Sequence, residues 1–269
     1  MNVRIPSGCM GLQPSSIRGP CAIGCDVRPG SWDVVIADLI RNPKSQLRVV
    51  RPVFIGKVED DEQVEFVMRQ YKVRFGGIDT RPETTLAKRL QTRAAPLGIK
   101  LWRCEYNTAP STIEVTENEA EGLLKLDRTL TLDAVHYSFM TGGTVLLPQN
   151  FRQVTGGQFT REMTSASRVP IKWQGRDAYS WAKQGPDHVF HAWNYLLVAI
   201  GRSNMLAYGG ELTAMAHRGI VEGSLKKNLV NHVDSGDPKK RDRLTAHMVD
   251  WDGIMNDQVD NDEGLFLEA

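Results

Sequence analysis

The chain has 269 residues, with 33 Lys and Arg against 32 Asp and Glu, so its formal charge is +1. It is 41% hydrophobic and 24% charged, which excludes a disordered chain, and no apolar run approaches the roughly 18–20 residues of a membrane span. Near neutrality excludes a chain-wide basic coat but leaves room for a local nucleic-acid site. The N-terminus lacks the apolar segment of a secretory signal. Four cysteines (Cys9, Cys21, Cys25, Cys104) are too few for a disulfide scaffold, so a reducing compartment is expected.

Residues 1–20 carry Pro and Gly without apolar periodicity and read as an arm or linker. CAIGCDV, SWDVVIADLI and QLRVVRPVFIGKV then read as three strands of an antiparallel meander, with Pro52 weighing against a central place for the third. In DDEQVEFVMRQY the apolar residues Val64, Val67, Met68 and Tyr71 recur at helical spacing behind an acidic start, which predicts a helix. RFGGID is a strand. Thr80 and Glu83 have capping-box spacing around Pro82, predicting a helix that runs to Pro96, and IKLWRCEY is the next strand. The order to this point is β-β-β-α-β-α-β.

Beyond it, LTLDAVHYSFMTGG predicts a helix ended by Gly142 and Gly143, and TVLLP a strand. A hairpin turning at Thr155-Gly156-Gly157-Gln158 fits the next segment, and a strong helix begins at PDHVFHAWNYLLVAIG. Lys226, Lys227, Lys239, Lys240, Arg241 and Arg243 precede residues 245–269, which contain no Lys or Arg and read as an acidic tail.

Three carboxylates stand out by position. Asp26 ends the first strand, Asp79 ends the fourth, and Asp187 opens the last helix. Singly, each has an ordinary explanation as a turn, loop or first-turn residue. Together they place acidic groups at one sheet edge if strands one and four are neighbours. Clustered carboxylates of this kind suit Mg²⁺ or Mn²⁺, two of which can drive phosphodiester hydrolysis. Cys21 and Cys25 lack a second Cys/His pair at zinc-site spacing and read as core thiols. No G-x-x-x-x-G-K-[ST] phosphate loop is present.

IGCDVRPGSWDVVIADL, FGGIDTRPETTLAKRL, DRTLTLDAVHYSFMTGGTVLLP and SWAKQGPDHVFHAWNYLLVA, taken in order, resemble the nuclease domain of the large terminase subunit of tailed bacteriophages. The resemblance covers residues 21–202. It implies an α/β, ribonuclease-H-like mixed sheet, three antiparallel strands then parallel ones, flanked by helices. Residues 1–20 would be the arm, 21–204 the nuclease domain and 205–269 a C-terminal segment with an acidic tail. The family's first two metal-binding aspartates fall on Asp26 and Asp79. Either Asp187 or His191, one helical turn on, supplies the third ligand; Asp187 is favoured, with His191 nearby as ligand or proton carrier and His188 a weaker candidate. Packing against Trp181 or Trp193 is the ordinary alternative for the histidines.

The implied activity is two-metal endonucleolytic cleavage of double-stranded DNA concatemers during viral genome packaging, with two Mg²⁺ or Mn²⁺ ions. The implied partners are DNA, a portal protein, a small terminase subunit and an ATPase motor that this stretch of sequence does not contain. The implied setting is the host cytoplasm, transiently at the procapsid portal, with no membrane, and the Thr155–Gln158 hairpin becomes a mobile element near the site. DNA phosphates would be met by Arg28, Arg81, Lys88 and Arg89, whose alternative is an ordinary solvated surface. Rival readings are another ribonuclease-H-like nuclease, such as a junction resolvase or transposase core, and a non-catalytic DNA-clamping or motor-docking module.

Overall fold

A computed structural model of the chain describes residues 10–11, 16–17, 19–41, 48–109, 115–140, 145–147 and 157–203. Strands β1 (Met10–Gly11), β2 (Cys21–Arg28), β3 (Ser31–Arg41), β4 (Arg48–Val58), β5 (Val73–Asp79), β6 (Lys100–Tyr106), β7 (Val115–Asn118) and β8 (Leu123–Leu126) form one sheet. Its order is β1-β4-β3-β2-β5-β6-β8-β7. Strands β2, β3 and β4 form the expected antiparallel meander, and β5, β6 and β8 run parallel to β2. The central five, β4-β3-β2-β5-β6, carry the ribonuclease-H-like arrangement, three antiparallel strands followed by parallel ones. Met10–Gly11 pairs with Ile55 and Phe54 of β4, so part of the segment read as an arm joins the sheet. Pro52 sits where the β3–β4 register slips, Ile36 facing Phe54 and Ala37 facing Pro52. A bulge there accommodates the missing N–H.

Helices cover both faces. Odd-numbered Cys21, Ile23, Cys25 and Val27 of β2 pack with α1 (Asp61–Gln70) and α2 (Thr84–Ala94). Even-numbered Ala22 faces α3 (Arg128–Met140), α4 (Gln158–Met163) and α5 (His188–Arg202), so β2 is buried on both sides. Helix α1 is capped by Asp60, whose Oδ1 accepts from Gln63 N at 2.8 Å, while Gln63 Oε1 accepts from Glu59 N at 3.1 Å. Helix α5 is apolar almost all round because the sheet lies under it and other elements lie over it. Trp193 stacks obliquely on Phe139 of α3 at 5.1 Å and meets Phe159 of α4 edge-on.

The seating of α5 depends on two glycines. A Cβ on Gly24 would stand 1.9 Å from Ala192 O, and one on Gly77 would stand 2.5 Å from Tyr195 O. The backbone of α5 therefore lies against β2 and β5, two residues before Asp26 and Asp79 on the same face.

Several expectations are corrected. The Thr80 capping box does not form: α2 starts at Thr84, and Thr80 N donates to Cys104 O of β6 at 2.9 Å, so Thr80 extends the sheet instead. Of the expected hairpin turn, Gly157 has φ 74° and Gln158 opens a helix; Thr155 and Gly156 lie outside the described residues. A hairpin stands further on, β9 (Ala166–Trp173) with β10 (Arg176–Lys183). It turns at Gln174-Gly175, both with positive φ (49° and 77°), the geometry that matches strand twist. Of TVLLP, Val145 makes a single bridge to Val50. The β7–β8 hairpin, in a stretch with no clear periodicity, is an addition. The C-terminal segment and tail lie outside the described residues.

Gly24→Ala is expected to cost about 2–3 kcal/mol or more, because the helix must lift off the sheet. Gly30→Ala has open space but a φ of 73°, so it is expected to cost about 1 kcal/mol of backbone strain. Urea unfolding of the two variants checks the ordering.

Candidate functional site

Parallel pairing sets Cys25 beside Ile78, so Asp26 and Asp79 follow on adjacent strands roughly 4.8 Å apart. Asp79 ends β5, but Asp26, expected at a strand end, lies inside β2, which runs on to Arg28 to close the turn. Asp33 faces Asp26 from β3 in register. The hairpin turn at Pro29-Gly30 dictates this: its closing pair is Arg28 with Ser31, and counting two residues outward on each strand reaches Asp26 and Asp33. All three carboxylates lie on the face covered by α5. Ligand-type atoms of Asp26, Asp33 and His188 lie within 4.8 Å of one another.

His188 Nδ1 is 2.8 Å from Asp26 Oδ2. The residue ranked as the weaker histidine thus meets the first carboxylate. Asp33 is 1% exposed, is paired with Arg28, and has no hydrogen bond to either oxygen. Burial pushes its carboxyl up to about 6, against the pull of Arg28. Burial and then the charge of Asp26 push Asp79 up to about 7, against hydrogen bonds from Arg81 N and Tyr195. Among the described residues these groups are short of positive charge, which is what a divalent cation supplies. The set of carboxylates with one imidazole suits Mg²⁺ or Mn²⁺, and the residues fit that group.

Asp187 stands at the N-cap position of α5, but its side chain makes no cap bond. Glu162 of α4 does that work instead: its Oε2 accepts from Val189 N at 2.9 Å, and its Oε1 from Gln158 Nε2 at 2.8 Å. Asp187 is left to meet His191 Nε2 at 3.2 Å and Lys183 Nζ at 2.9 Å. Burial pushes its carboxyl up, but the hydrogen bonds and charges of His191 and Lys183 outweigh this and hold it well below the usual carboxylate range. His191 Nδ1 lies 2.7 Å from Tyr106 Oη, so both ring nitrogens have protein partners. Tyr106 is hydrogen-bonded in turn to Tyr195, and Tyr195 to Asp79. A polar string therefore joins Asp187 to Asp79 beneath α5. Asn194 Nδ2 donates to Tyr106 Oη at 2.9 Å and steadies its middle.

The four cations expected to meet phosphate are placed differently from one another. Arg28 turns inward to Asp33, Arg81 is exposed and pairs with Glu105, and Lys88 is exposed on α2. Arg89 grips Asp61 of α1 with Nε at 2.7 Å and Nη2 at 2.6 Å. Sequence reasoning missed Asp33, Glu162, Tyr106 and Tyr195. For Asp33 a signal was available, since a charge in the apolar run SWDVVIAD must find a reason to be buried.

No protein-family model matches the chain, and none of the curated proteins matches it. Among solved structures it is similar to Thermus thermophilus RuvC, at 9% identity and a TM-score of 0.34, over 66% of this chain and 90% of that one. T. thermophilus RuvC in complex with a Holliday junction substrate is similar at the same identity and score, over 71% and 96%. The fold assignment stands on the strand order, not on these likenesses. No helix among the described residues is long and apolar enough to cross a membrane.

The raised carboxyls have a consequence for stability. Asp33 and Asp79 keep their protons in the folded state up to about 6 and about 7, but in the unfolded chain only to about their ordinary 3.8. Across that window the folded state binds more protons, so stability falls as pH rises. Asp187, depressed, acts in the opposite sense and only below its ordinary value. Without divalent cations the melting temperature is expected to drop by several degrees from pH 5.5 to 8. Asp79→Asn should flatten this slope, and millimolar Mg²⁺ should recover stability at pH 8. Differential scanning fluorimetry reads all three.

Proposed function

We propose that the protein is a divalent-metal-dependent endonuclease of the terminase type, cutting double-stranded DNA concatemers in viral genome packaging. The observation that carries this reading is Asp26 of β2 flanked by Asp33 of β3 and by Asp79 of β5, with His188 of α5 laid against Asp26. The ribonuclease-H-like strand order supports it, and so does the ordered set of four sequence segments. Asp26 and Asp79 hold the cations, joined by Asp33. Asp187 supplies the remaining acidic group, and His191 holds and orients it through Nε2. Two such ions would supply an activated water and charge stabilisation of the leaving 3′ oxygen. The protein's own part is positional. Gly24 and Gly77 bring α5 down, Glu162 caps it, and the Tyr195–Tyr106–His191 string fixes two carboxylates relative to each other.

DNA is held through phosphate contacts, with exposed Arg81 and Lys88 on the side of α2. Portal, small terminase subunit and ATPase motor are the partners this reading assigns.

The test is incubation with supercoiled plasmid and Mn²⁺. Wild type is expected to nick and linearise it, Asp26→Asn and Asp79→Asn to lose activity altogether, and His191→Ala to lose about 10–100-fold. DNA retention without cutting by the wild type would return the protein to a clamping or docking role. Filter binding without metal is expected to weaken steeply with added salt, and Lys88→Ala to reduce that slope.

A further inference from the structure

Two buried aspartates, Asp38 and Asp61, are each held by an arginine fork. Arg51 meets Asp38 as a fork, Nε to Oδ1 at 3.0 Å and Nη2 to Oδ2 at 2.6 Å, and Nη2 also donates to Ser16 O. Arg89 meets Asp61 in the same two-pronged way. Such forks combine charge with two directed hydrogen bonds and are the geometry of a permanent pair.

Arg28 and Asp33 are different. Asp33 is buried, yet neither of its oxygens receives a hydrogen bond. Nη2 of Arg28 lies against Asp33 Oδ2 without hydrogen-bond alignment, and its buried Nε has no hydrogen-bond partner. The contact is charge against charge, without the fork. It lies at the one cluster whose ligand-type atoms, from Asp26, Asp33 and His188, converge within 4.8 Å among the described residues. Arg28 also has a way out: it is 25% exposed, and the next two residues, Pro29 and Gly30, form an exposed turn with open space beside Gly30.

We infer that Arg28 is a displaceable counter-ion of the metal centre, neutralising Asp33 until a divalent cation takes that carboxylate and then swinging out to meet a DNA phosphate. This rests on the metal-centre reading given above and adds a regulation to it. Loading of the cation and exposure of a phosphate-binding guanidinium become one event. The guanidinium is poised two residues from Asp26, so a free site keeps its DNA-gripping charge folded inward and a loaded site presents it. Arg28 is then a positioning residue with two successive partners, one anionic side chain and one phosphodiester.

The test is calorimetric titration of the full chain with Mn²⁺ alone, at low salt, for wild type, Arg28→Gln, Asp33→Asn and Asp26→Asn. Removal of the competing cation is expected to tighten Mn²⁺ binding about 5–10-fold in Arg28→Gln, whereas Asp33→Asn weakens it. A folded Arg28→Gln that binds Mn²⁺ as wild type does, or more weakly, overturns the inference. Should that variant not fold, wild type labelled with ¹⁵N-arginine decides. Saturating Mg²⁺ must speed solvent exchange of the Arg28 Nε–H, and an unmoved signal overturns the inference. Failure of the metal-centre reading looks different, with wild type and both aspartate variants alike taking up no Mn²⁺.

Discussion

The site exists because a helix can lie directly on a sheet. Most helices stand off a sheet by the thickness of their side chains. Here Gly24 and Gly77 remove that thickness at two neighbouring strands, and the backbone of α5 takes the space. Each glycine stands two residues before a carboxylate, on the same face, so the lowered helix delivers its first turn to Asp26 and Tyr195, two turns on, to Asp79. Without that descent His188 would not reach Asp26, and Tyr195 would not reach Asp79. The same two residues that appear as flexibility in the sequence act as clearance in the fold.

Descent brings an electrostatic problem, and the chain answers it locally. Four aspartates, Asp26, Asp33, Asp79 and Asp187, stand under or beside the N-terminal half of a buried helix. The helix end is served by Glu162, an acid from another element, and Asp187 is thereby left for its own partners. Asp187 has Lys183 and His191, Asp26 has His188, and Asp33 has Arg28. Asp79 has hydrogen bonds but no ion pair among the described residues, and it is pushed up to about 7. The charge still missing sits where β2 and β5 end. Clustered acids without enough cations are a poor way to stabilise a protein, which is why their retention here speaks for chemistry.

Much of this was legible in the sequence, and the limits have physical causes. The meander, the parallel strands, α1 and α5 were readable because period and punctuation agree at each of them. Asp79 was readable as a strand-end acid, and Asp26 as an acid near the turn, although β2 runs on two residues past it. Asp33 was hidden by its place inside an apolar run, although the two-residue turn fixes its register opposite Asp26. The capping box at Thr80 misled because β6 offers Thr80 a better partner for its N–H than a helix would. Glu162, Tyr106 and Tyr195 could not be read, since their roles depend on how α4, β6 and α5 pack, and no local pattern encodes that. The β9–β10 hairpin turns on Gln-Gly rather than on the stronger Asn-Gly signal.

The hydrogen bond between His188 and Asp26 spans 162 residues of chain. Asp26 and Asp79 emerge early in synthesis, and the helix that completes their surroundings emerges late. Until α5 has been made and has settled on the two glycines, the carboxylates are merely neighbours on an unfinished sheet, one face open to water. A nascent or truncated chain therefore has the acids but not the surroundings that α5 gives them. Completing the cluster requires this long-range closure, and closures of large sequence separation are the slow part of folding. The order in which the chain is made thus keeps the carboxylate cluster incomplete until the last described helix is in place.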